Sequence, residues 1–341
     1  EDALESMATM SPSGIAELRA AFFRRWTKRA AELVSDEAAN LQTLPEHRRK
    51  ILSGKRLLLL AEILRELKYD DVQIASDLQN GFDLVGMCPA SPVLPDSFVP
   101  ASLSEQDLNE NAVEANNAIL RSMGSCGDAD VDRELWRKIE EELSRGWIRG
   151  PLNTQEAAST GRISKRFPIK QGGKVRCVDN YSESQMNSAI AIQNKVTVDG
   201  VDTLAAMCAT AMKKLRHHNK STAIRGRSFD LKSAYRQLAV ADGSLPFARI
   251  AVWDPVSGST KCFQQYSLPF GGKGSVVAFI RCARMLQWIA HRLIVPTSCY
   301  FDDFVPIATP QLALSTEQTF GALLDLLGWV YDVEGPKADK M

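Results

Sequence analysis

Between residues 14 and 35 apolar side chains recur at helical spacing. Ile15, Leu18, Phe22, Trp26, Ala30 and Leu33 form one stripe with Arg and Lys between them, which predicts a core-facing helix. A second helix is expected over roughly 56–68. Pro89, Pro92, Pro95 and Pro100 then break any regular period and predict an extended connector. Over 131–145 the stripe returns with Leu135, Ile139 and Leu143, supported by Glu134–Lys138 and Glu141–Arg145 at i,i+4 and ended by Gly146. From 161 the period shortens. Two β-prone runs flank Gln171-Gly172-Gly173-Lys174, and two more, Phe247 to Trp253 and Thr260 to Tyr266, flank Asp254 to Gly258, so each pair predicts a hairpin.

A stripe over 275–294 (Val276, Ile280, Ala283, Leu286, Ile289, Ala290, Leu293) predicts a helix able to face a sheet. The apolar runs Leu293-Ile294-Val295 and Phe304 to Ala308 then predict a third hairpin with Tyr300-Phe301-Asp302-Asp303 at its tip. Ser315-Thr316-Glu317-Gln318 reads as a capping box for a last helix striped by Phe320, Leu323, Leu324 and Leu327 and stopped by Gly328. There is no internal repeat. The pattern is α+β, divided into a helical N-terminal region (1–88), a Pro/Ser/Gly-rich connector (89–130) and a larger unit (131–341).

Composition changes this picture in one respect. A chain of 341 residues, 45% hydrophobic and 24% charged, is ordinary globular material with room for two or three domains. Its formal net charge of zero hides an asymmetry: residues 1–150 carry 18 Lys+Arg against 26 Asp+Glu, or −8, and residues 151–341 carry 23 against 15, or +8. A basic second half suits a phosphate-bearing partner. Arg162, Lys165, Arg166, Lys170, Lys174 and Arg176 follow one another there without an acidic residue between, and Lys213, Lys214, Arg216, Lys220, Arg225 and Arg227 form a second run. Seven cysteines with no C-x-x-C pair read as reduced thiols of an intracellular protein, in cytoplasm or nucleus. The run Leu57 to Leu60 is too short to span a bilayer. A chain that begins at Glu1 reads as cut from something longer.

The candidate chemistry lies in the acidic turn. Two adjacent carboxylates presented by an apolar hairpin are costly unless a cation or donor compensates them, and Mg2+ is the natural occupant because it takes oxygen ligands. An exposed acidic turn is the plainer reading of Asp302-Asp303 alone. A third carboxylate precedes it in Ser228-Phe229-Asp230-Leu231-Lys232-Ser233-Ala234-Tyr235-Arg236-Gln237, and a glycine-rich loop, Leu268-Pro269-Phe270-Gly271-Gly272-Lys273-Gly274-Ser275, lies between the two. His217 and His218 lack neighbouring carboxylates or thiols and read as surface residues.

This ordered set resembles the reverse transcriptases of eukaryotic retrotransposons. Asp230 is similar to their first metal-binding position, Pro269 to Ser275 to their template and nucleotide loop, and Tyr300 to Asp303 to the Tyr-x-Asp-Asp box. The resemblance covers about 160–338. It is faint over 56–150, through Gly81 to Gly86 and Gly146 to Pro151. It implies a right-hand polymerase with fingers (about 160–225), a palm with an antiparallel sheet (about 226–341) and no thumb within the chain. It further implies RNA-directed DNA synthesis with two Mg2+ ions, replaceable by Mn2+, held by Asp230, Asp302 and Asp303.

Residue by residue, the resemblance makes Arg176, and less directly Lys174, the triphosphate grip. It makes the backbone N–H groups near Ser233 and Ala234 phosphate donors. Tyr235 becomes the gate that excludes a 2′-hydroxyl, Phe270 and Gly271 part of the nucleotide pocket, and Lys337 the proton donor to departing pyrophosphate. Asn180 departs from the family, where Asp is common, and Phe270 replaces the Gln of retroviral enzymes. The implied partners are an RNA template, a DNA or RNA primer and dNTPs, with no membrane and with further domains of a longer polyprotein. An RNA-dependent RNA polymerase, which usually has Asp at the Tyr235 position, and a catalytically silent nucleic-acid-binding fragment are the alternatives.

Overall fold

The computed structural model describes residues 2–333 and has mixed α+β architecture. Two sheets matter for the site. A five-stranded sheet runs Ile148–Leu152, Ser259–Gln265, Arg249–Asp254, Ile163–Gln171, Lys174–Asp179. Its neighbours are antiparallel except for Ile163–Gln171 beside Arg249–Asp254, which is parallel. A smaller antiparallel sheet pairs Thr297–Tyr300 with Asp303–Ala308, whose other edge takes Phe229–Asp230 and Arg225–Gly226.

The helix Lys273–Arg292 organises the interior. Fourteen of its 20 residues are buried, so it is covered on more than the single stripe the sequence predicts. The extra cover comes from the N-terminal region: Arg281, inside the helix, forms a two-pronged pair with Asp71 (2.9 Å twice) and a second with Asp77 (2.7 Å). Trp26, Leu59, Leu60 and Ile63 share one apolar core with Phe229, Phe279, Met285, Leu324 and Trp329. The N-terminal helices therefore pack into the same interior as the strand that carries Asp230.

Cations from the N-terminal region also close the ends of two of these helices. Arg19, 3% exposed on the helix Pro12–Glu32, donates to the carbonyls of Leu293 (3.0 Å) and Ile294 (2.6 Å) just past Arg292. Arg56 donates to the Leu326 carbonyl (2.5 Å) and Lys55 to that of Gly328 (3.3 Å), at the end of the helix Ala313–Leu327. Helix C-termini leave carbonyls unpaired and carry partial negative charge, so donors of this sign satisfy both demands.

Several local expectations change. The last helix begins at Ala313, not at Ser315, because Ser315 Oγ accepts from the distant Arg19 (2.9 Å) and caps nothing. Leu293 to Val295 end a helix and turn, with Ile294 at φ 55°, so the first strand of the acidic hairpin starts at Thr297. The stretch 89–130 is not a bare connector: it holds the strand Asp96–Val99 and the helices Glu105–Glu110 and Ala112–Ser122, the former capped reciprocally by Ser104 and Asp107. Glu134 pairs with Arg137, not Lys138, whereas the Glu141–Arg145 pair forms as expected. Among the described residues no helix is long and apolar enough to cross a membrane.

Candidate active site

The acidic turn is as tight as its sequence allows. Tyr300 pairs with Asp303 across the ladder, leaving Phe301 and Asp302 as the two turn residues, and Phe301 takes the left-handed φ of 52°. On the far side, Asp303 lies directly opposite Asp230, and Phe304 opposite Phe229. Side chains alternate faces along a strand, so the phenylalanines point inward and the carboxylates point to the opposite face. Phe229 and Phe304 both pack on Phe320, at 4.9 and 5.4 Å between ring centroids. That anchor fixes the register which brings the acids together.

One carboxylate oxygen from each of Asp230, Asp302 and Asp303 falls within 4.8 Å of the others, and all three residues are half-buried. Like charges directly opposite one another on a sheet are destabilising. Here they are held by backbone bonds: the Leu231 N–H donates to the Asp302 carbonyl (3.0 Å), and the Asp332 N–H donates to that of Asp230 (2.9 Å). Three clustered carboxylate oxygens could hold a metal ion, and hard divalent cations favour such ligands.

Tyr235 follows Ser233, whose φ of 55° starts the short 3-10 turn Ala234–Gln237. Ser233 is exposed and Ala234 buried. The Tyr235 ring stands edge-on to Phe270 (5.5 Å, 85°) and 5.0 Å from Phe279. Burial, then the charge of Asp302, pushes its phenol up to about 12. Tyr235 thus lies near Asp302, and Phe270, itself 46% exposed, packs on Tyr235. Gly271 needs its glycine for the packing of the loop itself. At φ 124° an added Cβ would sit 2.4 Å from the Asp179 carbonyl oxygen, and at Gly274 it would meet that of Asp83 at 2.6 Å.

The basic hairpin forms as read, with Gly172 and Gly173 at φ 57° and 75° joining Gln171 to Lys174. Lys174 and Arg176 are exposed on its outer strand. Other members of the run are engaged by groups of the protein itself. Arg162 is buried and donates to the Ser184 carbonyl (2.9 Å) and Gln185 Oε1 (3.0 Å), and Lys170 pairs with Asp128 (2.7 Å). In the second run Lys214 pairs with Glu5 (2.5 Å) and Arg227 with Glu317. Lys337 lies outside the described residues.

Arg166 has an unforeseen role. It grips Asp179 with two bonds (2.6 and 3.0 Å) and Glu142 with a third (2.7 Å), while Arg236 takes the other Glu142 oxygen (2.7 Å) and the Leu268 carbonyl (3.2 Å). Gln265 adds a bond to Asp179 (3.0 Å) and accepts one from Tyr181 (3.0 Å). Burial opposes ionisation of Glu142 and Asp179, but Arg166 and Arg236 outweigh it and hold both carboxyls below their usual range. This network joins the residue after Tyr235 to the loop before Phe270 and to both strands of the basic hairpin. A lone Glu in a helical stripe carries no signal of such a role.

No family model matches the chain, and no curated protein matches it in sequence.

Proposed function

We propose that the chain is the catalytic part of an RNA-directed DNA polymerase of a retroelement. The observation that carries the proposal is the convergence of Asp230, Asp302 and Asp303, with Tyr235 near Asp302 and Phe270 packed on Tyr235. In this reading the small antiparallel sheet is the palm and the hairpin Ile163–Asp179 belongs to the fingers. An RNA template, a DNA or RNA primer and dNTPs are the partners.

The three aspartates would hold the Mg2+ ions. When bound, these supply charge neutralisation for the triphosphate and lower the pKa of the attacking hydroxyl. The bond formed joins the primer 3′-oxygen to the α-phosphorus, the bond broken releases pyrophosphate, and the hydroxyl proton passes to solvent. Tyr235 acts by shape: its phenol stays neutral with a pKa of about 12, so the ring fills the space of a 2′-hydroxyl without placing charge near the phosphates. The N–H groups at Ser233 and Ala234 face phosphate oxygens. Arg176 and Lys174, exposed on the hairpin, reach the triphosphate from above.

Primer extension on an RNA template with Mg2+, comparing dNTPs with rNTPs, tests the reading. Deoxynucleotide addition that disappears in Asp302→Asn, and ribonucleotide addition that rises in Tyr235→Val, are expected. Extension that survives Asp302→Asn, or unchanged sugar discrimination in Tyr235→Val, would refute the assignment of these residues. Failure of the wild-type chain to incorporate any nucleotide while still retaining nucleic acid would favour a binding scaffold.

A further inference from the structure

We infer that Asp199 is a positioning residue that sets the geometry of the acidic turn, and through it the affinity of the triad for a divalent cation. The inference rests on the metal-binding part of the proposed function. Asp199 pairs with Cys299 as a neighbouring strand would. Its N–H donates to the Cys299 carbonyl (2.9 Å), and its Oδ2 accepts the Cys299 N–H (2.9 Å). Cys299 stands immediately before Tyr300-Phe301-Asp302-Asp303, on the edge strand of the small sheet.

The rest of that edge is held from the long helix. Gln287 Nε2 donates to the Thr297 carbonyl (2.7 Å) and to Asp199 Oδ2 (2.7 Å), and His291 Nε2 lies 3.0 Å from the Thr297 carbonyl. Arg284 fixes the other Asp199 oxygen (3.0 Å) and the Thr197 carbonyl (2.9 Å). One carboxylate therefore ties the segment before the helix Val201–His217, the helix Lys273–Arg292 and the catalytic hairpin together.

This matters because of Phe301. A non-glycine residue in the left-handed region is strained and persists only where its surroundings over-determine it. Two pins bracket it: Asp199 on Cys299 before, and the Leu231 N–H on the Asp302 carbonyl after. With the first pin removed, Phe301 can relax, and the carboxylate one residue further on leaves its place between Asp230 and Asp303. Residues that orient metal ligands in this indirect way typically contribute ten- to hundredfold in affinity.

The test uses Mn2+ alone, with binding followed by the paramagnetic signal of the free ion and no nucleotide present. Wild type, Asp302→Asn, Asp199→Ala and Asp199→Asn are compared, with circular dichroism confirming the fold of each. Asp199→Ala is expected to weaken Mn2+ binding about tenfold or more. Asp199→Asn, which keeps an oxygen for the Cys299 N–H, should lose less, and Phe301→Gly in the Asp199→Ala background should recover part of the loss. Should Asp199→Ala be unfolded, Asp199→Asn and Gln287→Ala carry the same question. Unchanged Mn2+ affinity in folded variants overturns the inference. Wild type that binds Mn2+ no better than Asp302→Asn overturns the metal centre itself, a separate result.

Discussion

The turn that carries Tyr235 is held from two sides by opposite electrostatic means. Arg236 points into a junction where the buried charges are matched: Arg166, Asp179 and Glu142 are 0, 1 and 11% exposed in their side chains, and two carboxylates meet two guanidinium groups. Gln237, the next residue, points into the junction with the N-terminal region. Its Oε1 accepts from Lys55 Nζ (3.2 Å) and from the Val330 N–H (3.0 Å), while its Nε2 donates to the carbonyls of Lys232 (3.0 Å) and Val330 (2.8 Å). Among the described residues no carboxylate pairs with Lys55 or Arg19 there. Their compensation is neutral: helix-end carbonyls for both, the Ser315 and Thr316 hydroxyls for Arg19, and for Lys55 Gln237 Oε1 and the Trp329 ring at 3.9 Å. The matched junction behaves as a rigid strut. The unmatched one keeps positive charge buried on dipoles, which makes it the side on which pH acts.

Removing one partner from the matched junction should have the largest effect. Glu142→Ala leaves Arg236 without its carboxylate and strips one of the three bonds of Arg166, both in the interior, and is expected to destabilise by about 3–5 kcal/mol. Urea unfolding monitored by tryptophan fluorescence measures it. A loss under about 1 kcal/mol would mean that Asp179 alone balances the site, and the strut would not exist. The same substitution should loosen the contact between Tyr235 and Phe270, since Arg236 reaches the Leu268 carbonyl two residues before Phe270.

At the unmatched junction the corresponding change is milder. Arg19→Met keeps an apolar stem but orphans the Leu293 and Ile294 carbonyls and the hydroxyls of Ser315 and Thr316, now 2.9 and 3.1 Å from the guanidinium. No charge is left unpaired, so a loss of roughly 1–3 kcal/mol in the same urea experiment is expected. If Arg19→Met equalled or exceeded Glu142→Ala, the distinction between the two junctions would collapse.

How much of this could be read from the sequence follows the same division. The acidic hairpin, the Gly172-Gly173 turn and the helix stop at Gly328 were legible because each depends on residues within a few positions of one another. The approach of Asp230 to Asp302 and Asp303 was legible only through the order of the motifs. What failed depended on distant partners. Arg166, within a run that reads as a phosphate-facing surface, instead meets Glu142, 24 positions earlier. Ser315 looked like a cap, yet a guanidinium 296 positions away claims its hydroxyl. Asp199 carries no signature at all, because its meaning lies in the edge strand it completes. Local pattern names an element, but only the tertiary neighbour decides what a charged side chain does there.

The effect most specific to the unmatched junction is a change of slope with pH. Burial pushes the Lys55 ammonium from 10.5 down to about 7, because desolvation exceeds what two carbonyl-type acceptors and one ring return. Below about pH 7 both folded and unfolded chains hold the proton, so stability does not vary through this group and the penalty of burying the charge is fully present. Between about 7 and 10.5 the unfolded chain holds the proton and the folded one has released it, so the unfolded state binds more protons and stability rises with pH. Lys55→Met should abolish that rise. Buried thiols such as Cys282, pushed from 9.0 up to about 12, act in the opposite sense above about pH 9, which overlaps the upper part of this range, so the quantity to measure is the difference between wild type and Lys55→Met at each pH. That difference should be flat below pH 7 and then shift steadily in favour of wild type. A difference that stays flat to pH 10 would show that Lys55 keeps its proton in the folded state, and that the helix end and the Trp329 ring compensate a buried cation as fully as carboxylates do on the other side of Tyr235.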